Sequence, residues 1–462
     1  MGIIKNALDS IQLNITVRAA MPGHKGKITV SGSHDVTELP GMDNLQDPQG
    51  ILQAAQEAAA KIYGTALARF LVNGSTCGNL AMIFSFFNEG DAVLLERNCH
   101  KSVYNGVLLR KLEPHYLWPE TDEYQNSLPQ SPIAIRDALE SNPGIKGIIL
   151  TQPSYKGCFS DFKAIWQIAQ DYGVYLLLDA AHGAHLAGMT EFRDFYTSCD
   201  AMVVSTHKSM DCLNQGAVLL LNRPEFAQKI LKYSNMFQTT SPSYLILESI
   251  EHSLEGLEAG KYLDPPDFRN QSYHNLTLNP LLPGMRMDPW KLLIHAKNQG
   301  AVMETYLEEE GIYPEAHDPN SVLLMLSPFN TLAEVDVLKK VLVQMDEAFA
   351  NNARERADSK DLNKDQDFIR DLVGKTEVYP KPPRRVLPPH LVGDDYIELD
   401  LDQSVGHIVQ EQVIPYPPGV PVLVPGEVID ADMIAYLKHL ITQNVVILGL
   451  TNNQLKCRKG GV

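Results

Sequence analysis

The chain has 462 residues, 44% of them hydrophobic and 21% charged, a balance ordinary for soluble globular proteins and far from a disordered composition. A formal net charge of −17 argues against nucleic acid as a partner, because phosphate binding needs clustered Lys and Arg. The six cysteines show no C-x-x-C spacing, so neither a zinc site nor a disulfide scaffold is indicated.

Taken in chain order, the opening "MGIIKNALDSIQLNITVRAA" carries no long apolar core or cleavage site, and no later stretch approaches the length of a membrane span. The expectation is a cytoplasmic chain without membrane contact. Residues 1–70 are expected to form an N-terminal arm or segment, 71–262 a large domain, and 263–462 a C-terminal α+β region with a charged linker near 351–367. Within the large domain, short apolar runs alternate with amphipathic stretches, the pattern of a mainly parallel sheet sandwiched by helices. Candidate strands are Asp91–Glu96, Lys146–Thr151, Val174–Asp179, Ala201–Thr206 and Gly216–Leu221, with "FKAIWQIAQDYG" among the helices between them. From about Asn222 to Tyr262 the pattern is helical. Further on, "KLLIHA" and "SVLLML" read as strands, "GAVMETYLEEEG" and Leu332 to Ala350 as helices. The proline-dense "YPKPPRRVLPPH" and "YPPGVPVLVPGE" exclude regular helix.

In such sheets ligands bind at the carboxyl ends of strands, so polar residues there are read for chemistry. "VVSTHKSM" ends a buried run in Ser205, His207 and Lys208. A lysine stripped of water at that place becomes an imine-forming nucleophile, although an isolated lysine in a loop more often points to solvent. "VYLLLDAAHGAH" sets Asp179 at another strand end, where an acid can hold a cationic ring nitrogen; His182 and His185 follow, and two histidines without a third donor do not make a metal site. Gly74, Ser75 and Thr76 precede an apolar helical run and form a phosphate-type helix start, without P-loop spacing. His100 ends a third strand and could stack on a flat cofactor or serve as a cap. Phosphate, aromatic ring, pyridinium nitrogen and aldehyde are the handles of pyridoxal phosphate, and each has a candidate partner here.

The successive motifs "MPGHKG", "NGSTCGN", "RNCHKS", "DAAHGAH", "STHKSM", "DPWKL" and "YPPGVPVLVPGE" resemble those of the bacterial ornithine/lysine/arginine decarboxylase family, in its short form lacking a receiver-like N-terminal domain. The resemblance runs in order over nearly the whole chain. It implies a pyridoxal-phosphate-dependent transferase fold of type I, with a large α/β domain and a smaller α+β C-terminal domain. It implies that Lys208 bonds to the cofactor aldehyde, that Asp179 pairs with the pyridine nitrogen, and that His100 stacks on the ring. Gly74, Ser75 and Thr76 would hold the phosphate, Ser205 and His207 would support the same pocket, and His182 would lie beside the cofactor. The activity implied is decarboxylation of a basic amino acid to its amine and CO2, with arginine favoured over lysine and ornithine. Glu427 is the candidate acid for the substrate's distal cation, and a homodimer or larger homo-oligomer is expected. Two departures stand out: Ala180 replaces an acid of the family's D-E-A-H, and Asp211, Cys212 and Asn214 follow the lysine where small residues are usual. An aminotransferase on the same fold and a non-catalytic relative are the competing expectations.

Overall fold

The computed structural model describes residues 15–37, 39–124, 126–262, 264–268, 272–280, 285–358, 383–416, 419–442 and 445–460. Residues 1–14 of the expected arm, the charged linker beyond residue 358, the start of the first proline-dense run (379–382), and Pro417 and Pro418 lie outside them.

The first nine strands are β1 (Val17–Ala19), β2 (Leu67–Leu71), β3 (Ala92–Glu96), β4 (Glu113–Leu117), β5 (Ile145–Thr151), β6 (Cys158–Phe159), β7 (Tyr175–Asp179), β8 (Ala201–Val204) and β9 (Ala217–Leu221). Seven of them form one sheet in the order β2-β9-β8-β7-β5-β3-β4. β9 runs antiparallel to both neighbours and every other pair is parallel. The sheet is covered on both faces, which is why β8 (AMVV) and β9 (AVLLL) are apolar and buried throughout. Successive side chains alternate between two cores: Leu94, Ile148, Leu176 and Met202 feed one, and Val93, Ile149, Leu177 and Val203 the other. The helix Gly74–Phe86 seats unusually close to β8, for a Cβ on Gly78 would lie 2.5 Å from Val203 Cγ2.

A smaller antiparallel sheet follows, built from β10 (Thr277–Leu278), β12 (Lys291–His295), β14 (Ala316–His317) and β15 (Ser321–Met325) in the order β10-β12-β15-β14. β11 (Arg286–Met287) pairs with β6, and β13 (Ile312–Pro314) lies parallel to β1, so both the large domain and the N-terminal segment are stitched to this part. The helices Gly300–Glu309 and Leu332–Asp358 close its core with Met303, Leu307, Leu338 and Leu342. The remaining described chain forms a fourth core around Val409, Leu423, Ile434, Leu437 and Leu455. It comprises β16 (Tyr396–Asp400), β17 (Ile414–Tyr416), the helix Ala431–Thr442, β18 (Val446–Leu448), β19 (Leu450–Thr451) and β20 (Gln454–Arg458).

Three differences from the sequence reading have physical causes. β2 joins the large sheet from before residue 71, because its Phe70 and Leu71 are needed in the two cores. The strand expected over Ala201–Thr206 stops at Val204, and Thr206–Ser209 turns into a short helix that lifts Lys208 off the sheet. The helix starting at Leu332 runs on to Asp358. Among the described residues no helix is long and apolar enough to cross a membrane.

Candidate active site

The carboxyl ends of β3, β7 and β8 bring His100, Asp179 and the Ser205–Lys208 turn to one edge of the sheet. Asp179, the last residue of β7, is buried, and its partners are neutral donors: Asn79 Nδ2 donates to Oδ2 at 2.8 Å and the Ala181 N–H donates to Oδ1 at 3.2 Å. Among the described residues no lysine, arginine or histidine forms an ion pair with it. A carboxylate held this way keeps its charge for an incoming cation or N–H donor.

The second Nδ2 hydrogen of Asn79 is donated to Ser102 Oγ at 2.9 Å, and that hydroxyl lies 2.8 Å from His100 Nδ1. His100 Nδ1 also accepts the Ser102 N–H at 3.2 Å, capping the helix Lys101–Leu109. A chain of polar groups therefore links Asp179 to the ring of His100. Burial pushes His100 down to about 4, against the pull of Asp179, so its ring is neutral at pH 7. On the other side of this ring a Cβ on Gly419 would lie 3.3 Å from Cδ2 and Nε2, which puts the second proline-dense run of the C-terminal region at the site.

Lys208 Nζ lies 3.1 Å from His182 Nε2. Burial lowers the Lys208 ammonium, with Asp179 and Glu315 resisting. Burial, followed by the charges of Lys208 and Lys291, holds His182 well below the ordinary histidine value. With its proton on Nδ1, the neutral His182 accepts from the lysine at Nε2. His207 Nδ1 donates to Gly216 O at 2.8 Å, and burial takes that ring down to about 4. The turn carrying Lys208 is clamped from the N-terminal side: the Gly23 N–H donates to His207 O at 2.9 Å, and a Cβ on Gly23 would lie 2.5 Å from Met210 N. No side chain fits between "MPGHKG" and the lysine turn.

Gly74, with φ of 73°, opens the helix Gly74–Phe86, whose first turn has neither a side-chain cap nor an acidic residue. Ser75 is half-buried and Thr76 exposed there, leaving N–H groups and hydroxyls for an anion. Ser205 Oγ is buried beside the lysine turn with no hydrogen-bond partner among the described residues. An orphaned hydroxyl, an uncapped helix start, a carboxylate without a cation and a desolvated lysine together match the phosphate, ring nitrogen and aldehyde of pyridoxal phosphate.

Other candidates have different partners. His185 Nε2 bonds Asp288 Oδ1 at 3.0 Å and so turns away from His182. Asp211 accepts from Tyr262 OH at 2.5 Å and pairs with His252 at 3.2 Å, while Cys212 Sγ accepts from Thr206 Oγ1 at 3.1 Å; both face the backing helix Tyr244–Glu258. Asn214 is exposed. Glu427 requires a correction. It is fully buried, its Oε2 taken by Arg97 Nη2 at 3.1 Å and by the Val424 N–H at 2.9 Å, so its charge is already answered within the chain. Arg97 itself donates to Tyr104 OH, Pro421 O and Val422 O and lies over the rings of Tyr104, Tyr116 and Trp118, pinning the C-terminal region to the sheet. Sequence reasoning assigned no role to Asn79 and Ser102, although they close the motifs "NGSTCGN" and "RNCHKS", nor to Glu315, in the turn between β13 and β14.

Comparison with known proteins identifies the family. The family description "Orn/Lys/Arg decarboxylase, major domain" matches residues 30–262, and its C-terminal domain matches 375–452. The chain is 34% identical to the uncharacterised protein YaaO of Bacillus subtilis, covering 90% of this chain and 87% of that one. It is 27% identical to the arginine decarboxylase of the same organism, covering 92% and 88%. The fold superposes on the constitutive lysine decarboxylase of Escherichia coli with a TM-score of 0.74 at 19% identity, over 92% of this chain and 75% of that one. With both family domains matched and a relative at this identity along nearly its whole length, the chain belongs to the Orn/Lys/Arg decarboxylase family of pyridoxal-phosphate enzymes.

Proposed function

We propose that the chain decarboxylates L-arginine, with Lys208, Asp179, His100 and the Gly74–Thr76 helix start as the cofactor site. Asp179 carries this reading: a buried carboxylate oriented by Asn79 and the Ala181 N–H, with its charge unspent, stands at the strand end next to the one that leads to Lys208. Arginine is supported by the arginine decarboxylases among the relatives, which align over 84–88% of their length, against 70% for the Escherichia coli lysine decarboxylases.

Pyridoxal phosphate, when bound, supplies an electron sink for the pair left on Cα as CO2 departs. The protein's share is binding and proton management. Asp179 favours a protonated ring nitrogen, and Asn79 prevents the carboxylate from turning away. His100, fixed through Ser102, offers a neutral flat face. Ser205, Ser75 and Thr76 with the first N–H groups of the helix Gly74–Phe86 accommodate the phosphate dianion. Once the substrate amine has taken its place, Lys208 Nζ is free to hold a proton, and His182 Nε2 at 3.1 Å orients it for delivery to Cα. His207, tied to Gly216 O, keeps the turn in register.

The test is to incubate purified protein and pyridoxal phosphate with L-arginine, L-lysine or L-ornithine in turn, measuring CO2 and the amine. Arginine is expected to give the highest kcat/KM. Preference for lysine or ornithine would overturn the substrate, and an oxo acid in place of CO2 would overturn the reaction.

A further inference from the structure

A decarboxylase of basic amino acids needs an anion for the distal cation, and most of the acids around this site are spent. Asp288 is paired with His185, Asp318 with Lys156, Glu427 with Arg97, and Asp211 with His252. Asp179 is assigned to the cofactor. Glu315, in the turn between β13 and β14, is different. Its Oε1 accepts from Tyr155 OH at 2.9 Å and its Oε2 from the Met21 N–H at 2.8 Å. Both donors are neutral, so they fix the orientation of the carboxylate without cancelling its charge. The side chain is only partly buried. Among the described residues no lysine, arginine or histidine pairs with it, although Lys25, Lys208 and Lys291 all feel its field.

Those lysines are held by other atoms. Lys25 Nζ donates to Ala20 O and Met325 O, both at 2.8 Å, Lys291 Nζ donates to Tyr155 O at 2.7 Å, and Lys208 meets His182. Contacts nevertheless lead from Glu315 to the reacting amine. The Tyr155 ring meets the His182 ring edge-on at 5.3 Å, and His182 bonds Lys208. By the second route, the segment that gives Glu315 its Met21 N–H also carries Gly23, packed on the lysine turn. A continuous run of contacts, through Tyr155 and then His182, therefore connects the carboxylate to Lys208.

We infer that Glu315 receives the distal ammonium or guanidinium of the substrate and sets the preference for basic amino acids. This rests on the decarboxylase reading above. Tyr155 is its positioning residue, holding Oε1 through a neutral hydrogen bond while Oε2 takes the Met21 N–H. A carboxylate matched to a cation through charge-assisted hydrogen bonds discriminates strongly against a neutral isostere, which leaves that carboxylate unsatisfied.

The test is spectral. The cofactor-loaded protein is titrated with L-arginine and L-lysine and with their neutral counterparts L-citrulline and L-norleucine, following the visible absorbance of the bound cofactor. Glu315→Gln, which retains an acceptor for Tyr155, is expected to weaken binding of the basic amino acids roughly 10- to 100-fold and leave the neutral pair unchanged. Equal losses for basic and neutral ligands, or none for either, would overturn the inference. If the glutamine variant melts below the assay temperature, Glu315→Asp serves instead: it keeps the charge and should retain a preference for arginine over citrulline, and loss of that preference also overturns the inference. CO2 is scored separately. A wild-type protein that selects basic ligands through Glu315 yet releases no CO2 supports the inference and refutes the decarboxylase reading.

Discussion

Two buried carboxylates, Asp179 and Glu427, show how one chemical group serves opposite ends. Glu427 meets a guanidinium from the same chain, deep in a cage of Tyr104, Tyr116 and Trp118 around Arg97. Among the described residues Asp179 meets an amide and a backbone N–H. Both positions exclude water; Asp179 has a donor on each oxygen, whereas Glu427 has donors on Oε2 and none on Oε1 among the described residues. Where the partner is a full charge, the pair fastens two parts of the molecule together. Where the partners are neutral, the carboxylate is oriented without a cation from the described residues, which is the arrangement the proposed cofactor role requires.

The sharpest way to break this contrast is on the open side. Lys208→Ala removes the amine that the Asp179 region surrounds; decarboxylation should fall on the order of 10⁴-fold or more, and the visible absorbance of bound cofactor should vanish. Survival of that band would show that the cofactor is bonded elsewhere. On the closed side the expected effect is on stability. Arg97→Met leaves Glu427 buried without its cation and should cost about 3–5 kcal/mol of unfolding free energy, whereas the double variant Arg97→Met with Glu427→Gln should recover part of that loss. Denaturant midpoints decide this, and equal losses in both proteins would mean that the pair is not the fastening.

The smallest effect is read in pH. His100 and His207 are held down to about 4 by burial, from an ordinary 6.5, so between those values the unfolded chain binds more protons than the folded one. Stability therefore rises with pH across that window and is lost as pH falls through it, by up to about 1.4 kcal/mol per pH unit for each proton. The thermal midpoint of cofactor-free protein should drop between pH 7 and pH 5, and His207→Gln should flatten the slope. An unchanged slope would assign the protons to other groups.

What the sequence made legible follows from distance along the chain. The large-sheet strands are apolar runs, and Lys208, Asp179 and His100 are polar residues at or just past their ends, a signal carried within a few neighbours. Asn79 and Ser102 lie in quoted motifs yet drew no role, because a polar residue inside a helical stretch reads as surface until the fold turns Asn79 inward to Asp179 and to Ser102. Glu427 was misjudged for a similar reason: its cation lies 330 residues away, so the sequence presented a free acid where the fold had a pair. Glu315 was overlooked because its partners are Met21, just after β1, and Tyr155, before β6, and no short window contains that meeting.

The contact at Gly23 bears on how the site is built. The lysine turn is backed by a glycine from the start of the chain that leaves no room for a methyl group. Under the proposed role of Lys208, the socket for vitamin B6 therefore has one wall supplied by the first third of the polypeptide and another by the middle third, and a bulkier residue at position 23 should leave the protein colourless.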